Sequence, residues 1–173
     1  MANFNIRFAN ETDLEAFWRV SVDTFTEAYA DRNKPEDIVF YNTTYFNKPN
    51  IQKELEDHSN IIFVSENNGE INGYVRLKPT QEYDLPGAME IKRIYVRKEQ
   101  YGNGLGKALM ETAIDYACKN NYKHLVLAVW KENERAIAFY KKCGFEIHSE
   151  TSFDWGTGKI DEDWVMVKEV PNS

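Results

Sequence analysis

The sequence predicts an α/β protein, a mixed and mostly antiparallel sheet flanked by helices, in a single domain of 173 residues. Three observations lead there. Strand-like runs rich in β-branched and aromatic residues alternate with helical periodicity along most of the chain. One such run, residues 89–96, passes through Gln100-Tyr101-Gly102-Asn103-Gly104-Leu105-Gly106-Lys107 into a helix on which Leu105, Leu109, Ala113, Tyr116 and Ala117 recur at helical spacing. The composition, 42% hydrophobic and 14% aromatic, is that of a folded core and not of a disordered chain.

Taken in order, residues 5–8 read as a short first strand. Thr12-Asp13-Leu14-Glu15 matches a capping box and opens a helix with Leu14, Phe17, Trp18, Ser21, Val22 and Phe25 as its apolar stripe. Pro35 predicts a second helix to about residue 45, and Pro49 a third ending near residue 57. Residues 61–64 form an apolar strand expected to be buried on both faces. Asn67-Asn68-Gly69-Glu70 is a hairpin signal, with residues 71–77 as the return strand. Residues 80–87 read as a mobile loop. The strand at 89–96, the glycine-rich turn and a helix to about residue 120 come next. A strand at 125–130 then precedes a helix at 133–142, with Asn133 as its N-cap and Gly144 at its C-terminus. A closing antiparallel hairpin spans residues 145–153 and 163–168 around Gly156-Thr157-Gly158. No repeat, low-complexity tract or linker interrupts the series.

The net charge of −7 argues against a nucleic-acid partner or an anionic membrane and suits a cationic substrate. No apolar run approaches the ~18–20 residues that span a bilayer. The N-terminal residues lack a signal peptide's apolar core, so a cytoplasmic location is expected. Cys118 and Cys143 are expected as free thiols that pack and do not act as nucleophiles. His58, His124 and His148 have no metal-ligand spacing, and no metal is expected. The residues leave the oligomeric state open, a homodimer included.

The glycine-rich turn carries the first chemical inference. Glycines let the backbone approach a ligand closely, and the N–H groups of a helix's first turn, at the positive end of its dipole, favour phosphate. Walker A and dinucleotide signatures both fail here. Gly106-Lys107 is followed by Ala108, with no hydroxyl for Mg²⁺, and Gly-x-Gly-x-x-Gly meets Lys107 or Leu109 at its last position.

Downstream stands Asn133-Glu134-Arg135-Ala136-Ile137-Ala138-Phe139-Tyr140-Lys141-Lys142-Cys143-Gly144-Phe145. The two stretches, in this order, resemble the pyrophosphate signature and the following helix motif of the GNAT superfamily of N-acetyltransferases, over about residues 4–168. Within it the chain looks most like PaiA-like spermidine/spermine N-acetyltransferases, through Glu90-Ile91-Lys92-Arg93-Ile94-Tyr95-Val96, Gly104-Leu105-Gly106-Lys107 and residues 128–142. Where that family has Arg or Gln this chain has Tyr101, with Gln100 one place earlier, so backbone contact is expected there.

The resemblance implies acetyl-CoA held between splayed parallel strands 89–96 and 125–130. Its pantetheine would follow Ile94, Tyr95 and Val96. Its pyrophosphate would meet Tyr101, Gly102, Asn103, Gly104, Leu105, Gly106 and Lys107. Asn133, Ala136, Phe139, Tyr140 and Lys142 would line it from the later helix, while Lys107 and Lys142 stand equally well as solvated charges. Acetyl transfer to an amine needs a proton removed from the amine and one supplied to the CoA thiolate. Tyr140 matches the family's acid, and Glu90 is the candidate base, set against a merely solvated strand-end carboxylate. The acceptor expected is a polyamine or similar small amine. Glu27, Asp31, Glu82, Asp84, Glu150 and Asp154 are candidates for its distal charges, and Phe25, Tyr29 and Trp155 for its methylenes. The alternatives are acetylation of a peptide α-amine or Lys, and a non-catalytic acyl-CoA sensor.

Overall fold

The computed structural model describes residues 4–171. Seven strands form one mixed sheet in the order β1-β2-β3-β4-β5-β7-β6. The chain divides into two compact units: residues up to Arg76 with Arg93–Leu109, and Leu77–Lys92 with the residues from Met110 onward.

In the first unit, β1 (Asn5–Phe8) pairs antiparallel with β2 (Ile61–Asn67), from Asn5 opposite Glu66 to Phe8 opposite Phe63. The capping box lies two residues upstream of its expected place. Asn10 caps, its side chain accepts from the Thr12 N–H at 2.9 Å, and the Asp13 carboxylate accepts from the Asn10 N–H at 2.8 Å. Thr12 fails as the cap because its hydroxyl is turned back onto the Asn10 side chain at 2.5 Å. Hydrogen bonds from Arg7 hold the Asp13 carboxyl below the usual carboxylate range. A cap of this kind contributes about 1 kcal/mol.

Helix α1 (Leu14–Tyr29) buries Phe17, Val20, Ser21, Thr24 and Phe25, a stripe one position off the expected one at Val20 and Thr24. The two hydroxyls are satisfied inside the helix, by the Phe17 and Val20 carbonyls at 2.8 and 2.6 Å. Helix α2 (Pro35–Thr44) starts on its proline, and α3 (Lys48–Glu56) is capped by Asn47. Strand β2 is buried from Ile62 to Ser65 without alternation, as an apolar run predicts. Asn68 and Gly69, with φ of +53° and +82°, make the hairpin into β3 (Glu70–Thr80). Gly73 in β3 permits a close approach: a Cβ there would lie 2.6 Å from Val96 and 3.1 Å from Leu105.

In the second unit, β4 (Ala88–Val96) begins beside β5 (His124–Trp130) in the sheet's parallel pairing, from Ala88 opposite His124 to Glu90 opposite Val126. Strand β7 (Ile160–Glu169) pairs antiparallel with β5 along its length, and β6 (Glu146–Asp154) pairs with β7 through an irregularity between Ile147 and Ser149. Helix α4 (Leu105–Lys119) begins in the first unit, where Leu105 and Leu109 are buried, and in the second buries Met110, Ala113 and Ala117; α5 (Glu134–Lys142) follows its cap Asn133. Gly144, at φ +88°, ends α5 while the Phe145 N–H donates to the Tyr140 carbonyl. The stretch expected as a plain loop contains a helical turn, Glu82–Asp84, with Tyr83 and Asp84 at positive φ. Among the described residues no helix is long and apolar enough to cross a membrane.

Candidate active site

The glycine-rich turn takes its shape from backbone conformation. Gly102 and Gly104 sit at φ +81° and +95°, a region that side chains disfavour. A Cβ on Gly102 would meet nothing within 4 Å, so glycine is required there for its dihedral. Asn103 Oδ1 accepts from the Leu105 N–H at 3.0 Å, and Asn103 Nδ2 donates to Gln100 at 2.6 Å. The Ala108 N–H then donates to the Gly104 carbonyl at 3.0 Å and α4 is under way. Gly102, Asn103, Gly104 and Lys107 are exposed. The turn is pinned from below: Arg97 pairs with Asp23 at 2.9 Å, and Glu27 accepts from the Lys98 N–H at 2.7 Å. Glu27, expected as a distal carboxylate for the acceptor, is therefore committed to the backbone.

Ile94, Tyr95 and Val96 lead into the turn, each half-buried. The Tyr95 hydroxyl lies 3.3 Å from that of Tyr29, and burial pushes the Tyr95 phenol well up. Next to them is a charge cluster that sequence reasoning missed. Arg76 and Arg93 share the Glu54 carboxylate, Arg76 at 3.1 Å. Arg93 lies over the Phe46 and Tyr74 rings, at 4.9 and 5.6 Å, with its Nε and Nη1 buried and unpartnered among the described residues. Burial, then the Arg93 charge, holds Arg76 below the ordinary guanidinium value. Phe25 stacks on Tyr41 at 4.2 Å and is only 4% exposed, so it belongs to the core and does not cover an acceptor's methylenes.

In the second unit Glu90 is 6% exposed, which corrects the solvated alternative. Lys92 pairs with its Oε2 at 3.0 Å, and the Tyr83 hydroxyl donates to its Oε1 at 3.5 Å. Burial, then the Glu90 charge, pushes the Tyr83 phenol up to about 12. Asp163 is also buried, and that burial, with the negative charge of Asp161, raises its carboxyl to about 6. On α5, Asn133 Oδ1 accepts from the Ala136 N–H at 3.2 Å, as expected of the cap. No α5 side chain is fully buried; Ala136, Ile137, Phe139 and Tyr140 are half-buried and Lys142 is exposed. The Tyr140 ring lies 5.5 Å from Phe139 and 6.0 Å from Phe145.

The remaining distal candidates separate by environment. Asp31, Glu82 and Asp84 are exposed. Glu150 pairs with Lys131 at 2.9 Å, and Asp154 accepts from the Gly156 N–H at 2.8 Å. Trp155 is 2% exposed and donates to Asp161 at 2.7 Å, so it too is a core residue. Asp163 escaped sequence reasoning, although it breaks the inward-facing alternation Asp163, Val165, Val167 of the last strand.

The acetyltransferase (GNAT) family model matches residues 14–145, and the chain belongs to that family. An uncharacterized N-acetyltransferase in the pepI 3′ region of Lactobacillus delbrueckii subsp. lactis is 32% identical over 160 residues, covering 90% of this chain and 92% of that one. The fold is that of PaiA N-acetyltransferase from Thermoplasma acidophilum, solved in complex with coenzyme A (TM-score 0.81, 22% identity, 97% of this chain and 99% of that one). It is likewise that of yncA from Salmonella typhimurium, solved with its cofactor acetyl-CoA (TM-score 0.73, 20% identity, 99% and 96%). The chain is an acetyl-CoA-dependent N-acetyltransferase.

The buried Asp163 gives a stability prediction. Unfolded, it loses its proton near ~3.9; folded, it holds the proton to about 6. The unfolded state therefore binds fewer protons between those values, and stability falls as pH rises through them. Asp163→Asn removes the penalty. Its Tm should exceed the parent's at about pH 7.5, and the gap should close below about pH 4. Thermal melts across that range check this, and a gap independent of pH would contradict it.

Proposed function

We propose that the chain transfers acetyl from acetyl-CoA directly to a primary amine of a polyamine, spermidine or spermine, through a tetrahedral intermediate. The observation that carries this reading is the buried carboxylate of Glu90, paired on one oxygen and reached by a phenol on the other, at the end of the parallel ladder. The net charge of −7 supports a cationic acceptor.

In this reading the backbone N–H groups of residues 102–107 hold the pyrophosphate, that of Leu105 apart because Asn103 accepts it, with Tyr101 beside them and Lys107 adding charge. Backbone groups of Ile94, Tyr95 and Val96 hold the pantetheine arm as a strand would. Asn133, Ala136, Phe139, Tyr140 and Lys142 serve the same ligand from α5, whose apolar stripe is left half-covered by protein alone. Glu90 accepts the amine proton through a water, since a primary amine near ~10.4 arrives charged. Tyr83 donates to Glu90 and orients it. Tyr140 supplies the proton that the CoA thiolate takes as it leaves.

Thiol release from acetyl-CoA over a panel of amines tests the reading. Spermidine should be used with at least tenfold higher kcat/KM than hexylamine at low ionic strength, and the preference should shrink as salt rises. Equal values would remove the polyamine reading. Activity confined to peptides would point to an α-amine or Lys acceptor, and binding without thiol release to a sensor.

Tyr140→Phe keeps the ring and removes the proton donor. Its kcat should fall by roughly 10²–10⁴ with little change in CoA affinity measured by calorimetry. A loss under about threefold, with chemistry rate-limiting, would reduce Tyr140 to its ring contacts with Phe139 and Phe145.

A further inference from the structure

We propose that Asp163 anchors a second, non-reacting ammonium group of the acceptor, on the sheet face that carries Glu90. This rests on the polyamine reading above and names the residue that would make the enzyme select a polyamine over a monoamine.

The register assigns the face. Asp163 stands opposite Trp130 on β5 and opposite Thr151 on β6. Val165 and Val167 follow it on the same side of β7, and Val165 clusters with Ala88 and Val126, with Tyr83, Leu85 and Val167 packed against them. Glu90 is two residues beyond Ala88 on β4 and opposite Val126, hence on that side too. Tyr83 ties the two acids together. Its hydroxyl reaches Glu90, and it also feels the negative charge of Asp163.

The decisive feature is what Asp163 lacks. It is 9% exposed, and among the described residues its carboxylate has no hydrogen bond and no ion pair. The other acids of the closing hairpin are either matched or, as Glu146 and Glu169 are, exposed. Glu150 and Glu162 share Lys131, Asp161 holds Trp155 and Lys159, and Asp154 holds the Gly156 N–H. Glu90 has Lys92. A buried carboxylate without a partner is costly, and a cation with N–H donors is the ligand that would relieve it. Groups of this kind cluster at functional sites.

The spacing suits a molecule with two separated charges. Counted through β5, Asp163 lies four residues along from Glu90, roughly 13 Å, and two strands across, roughly 10 Å. With both side chains reaching inward, that is a span of a polyamine's order and beyond a single amine's charge.

The test compares spermidine with hexylamine at saturating acetyl-CoA, in the parent and in Asp163→Asn. Loss of the anchor should raise KM for spermidine about tenfold or more, leave kcat within about threefold, and collapse the preference for spermidine. Asp163→Glu should restore part of it. A folded Asp163→Asn chain with the parent's preference would overturn the assignment while leaving the polyamine reading intact. A parent with no such preference would overturn that reading and the assignment with it. Should the variant fold poorly, the parent suffices: the ¹³C carboxyl signal of Asp163 should titrate near about 6 alone and lower with spermidine, but not with hexylamine. A titration that spermidine leaves unmoved would also overturn the assignment.

Discussion

The passage from β4 into α4 constrains much of the first unit. An extended strand must become a helix within a few residues. The backbone does this by entering positive φ twice, at Gly102 and Gly104. Asn103 between them caps the new helix, and the segment just before is fastened to α1 through Arg97–Asp23 and Glu27–Lys98. Gly73 removes the side chain that would otherwise hold Leu105 off β3. A turn whose backbone is fixed before binding suits an anionic ligand, because donors already oriented lose little entropy on binding.

Buried charge is the second organising feature, and each unit handles it differently. In the first, one carboxylate, Glu54, serves two guanidiniums, and aromatic faces take up part of the remaining positive charge on Arg93. In the second, Glu90 is balanced by Lys92, while Asp163 has no ion pair among the described residues. The first arrangement couples Arg76 and Arg93 to one carboxylate and keeps one positive charge in excess, beside the Phe46 and Tyr74 rings. The second leaves negative charge uncompensated in a family whose reaction accepts an amine.

What the sequence revealed followed from local rules. Periodicity located the strands and helices, and Pro35, Asn133, Asn68-Gly69 and Gly144 marked their ends through backbone preferences that act over a few residues. The failures were tertiary. The cap sits at Asn10 and not at Thr12, whose hydroxyl turns onto the Asn10 side chain, while Asp13 serves both the Asn10 N–H and Arg7 on β1. Glu27 was read as free charge because its partner, the Lys98 N–H, is distant in sequence. Phe25 and Trp155 were read as lining residues when packing had enclosed them. Glu54, Arg93 and Asp163 were passed over because a charged residue on an amphipathic element reads as solvated until its neighbours are known.

The central claim is that one site brings the thioester of acetyl-CoA and the amine of a polyamine together for direct transfer. A conjugate that joins spermidine to CoA through an acetyl linker mimics that meeting. Calorimetry of the conjugate against CoA alone is the most direct measurement. Direct transfer predicts binding at least 10²-fold tighter for the conjugate, since it makes both sets of contacts in one event. An affinity no better than that of CoA would contradict the account.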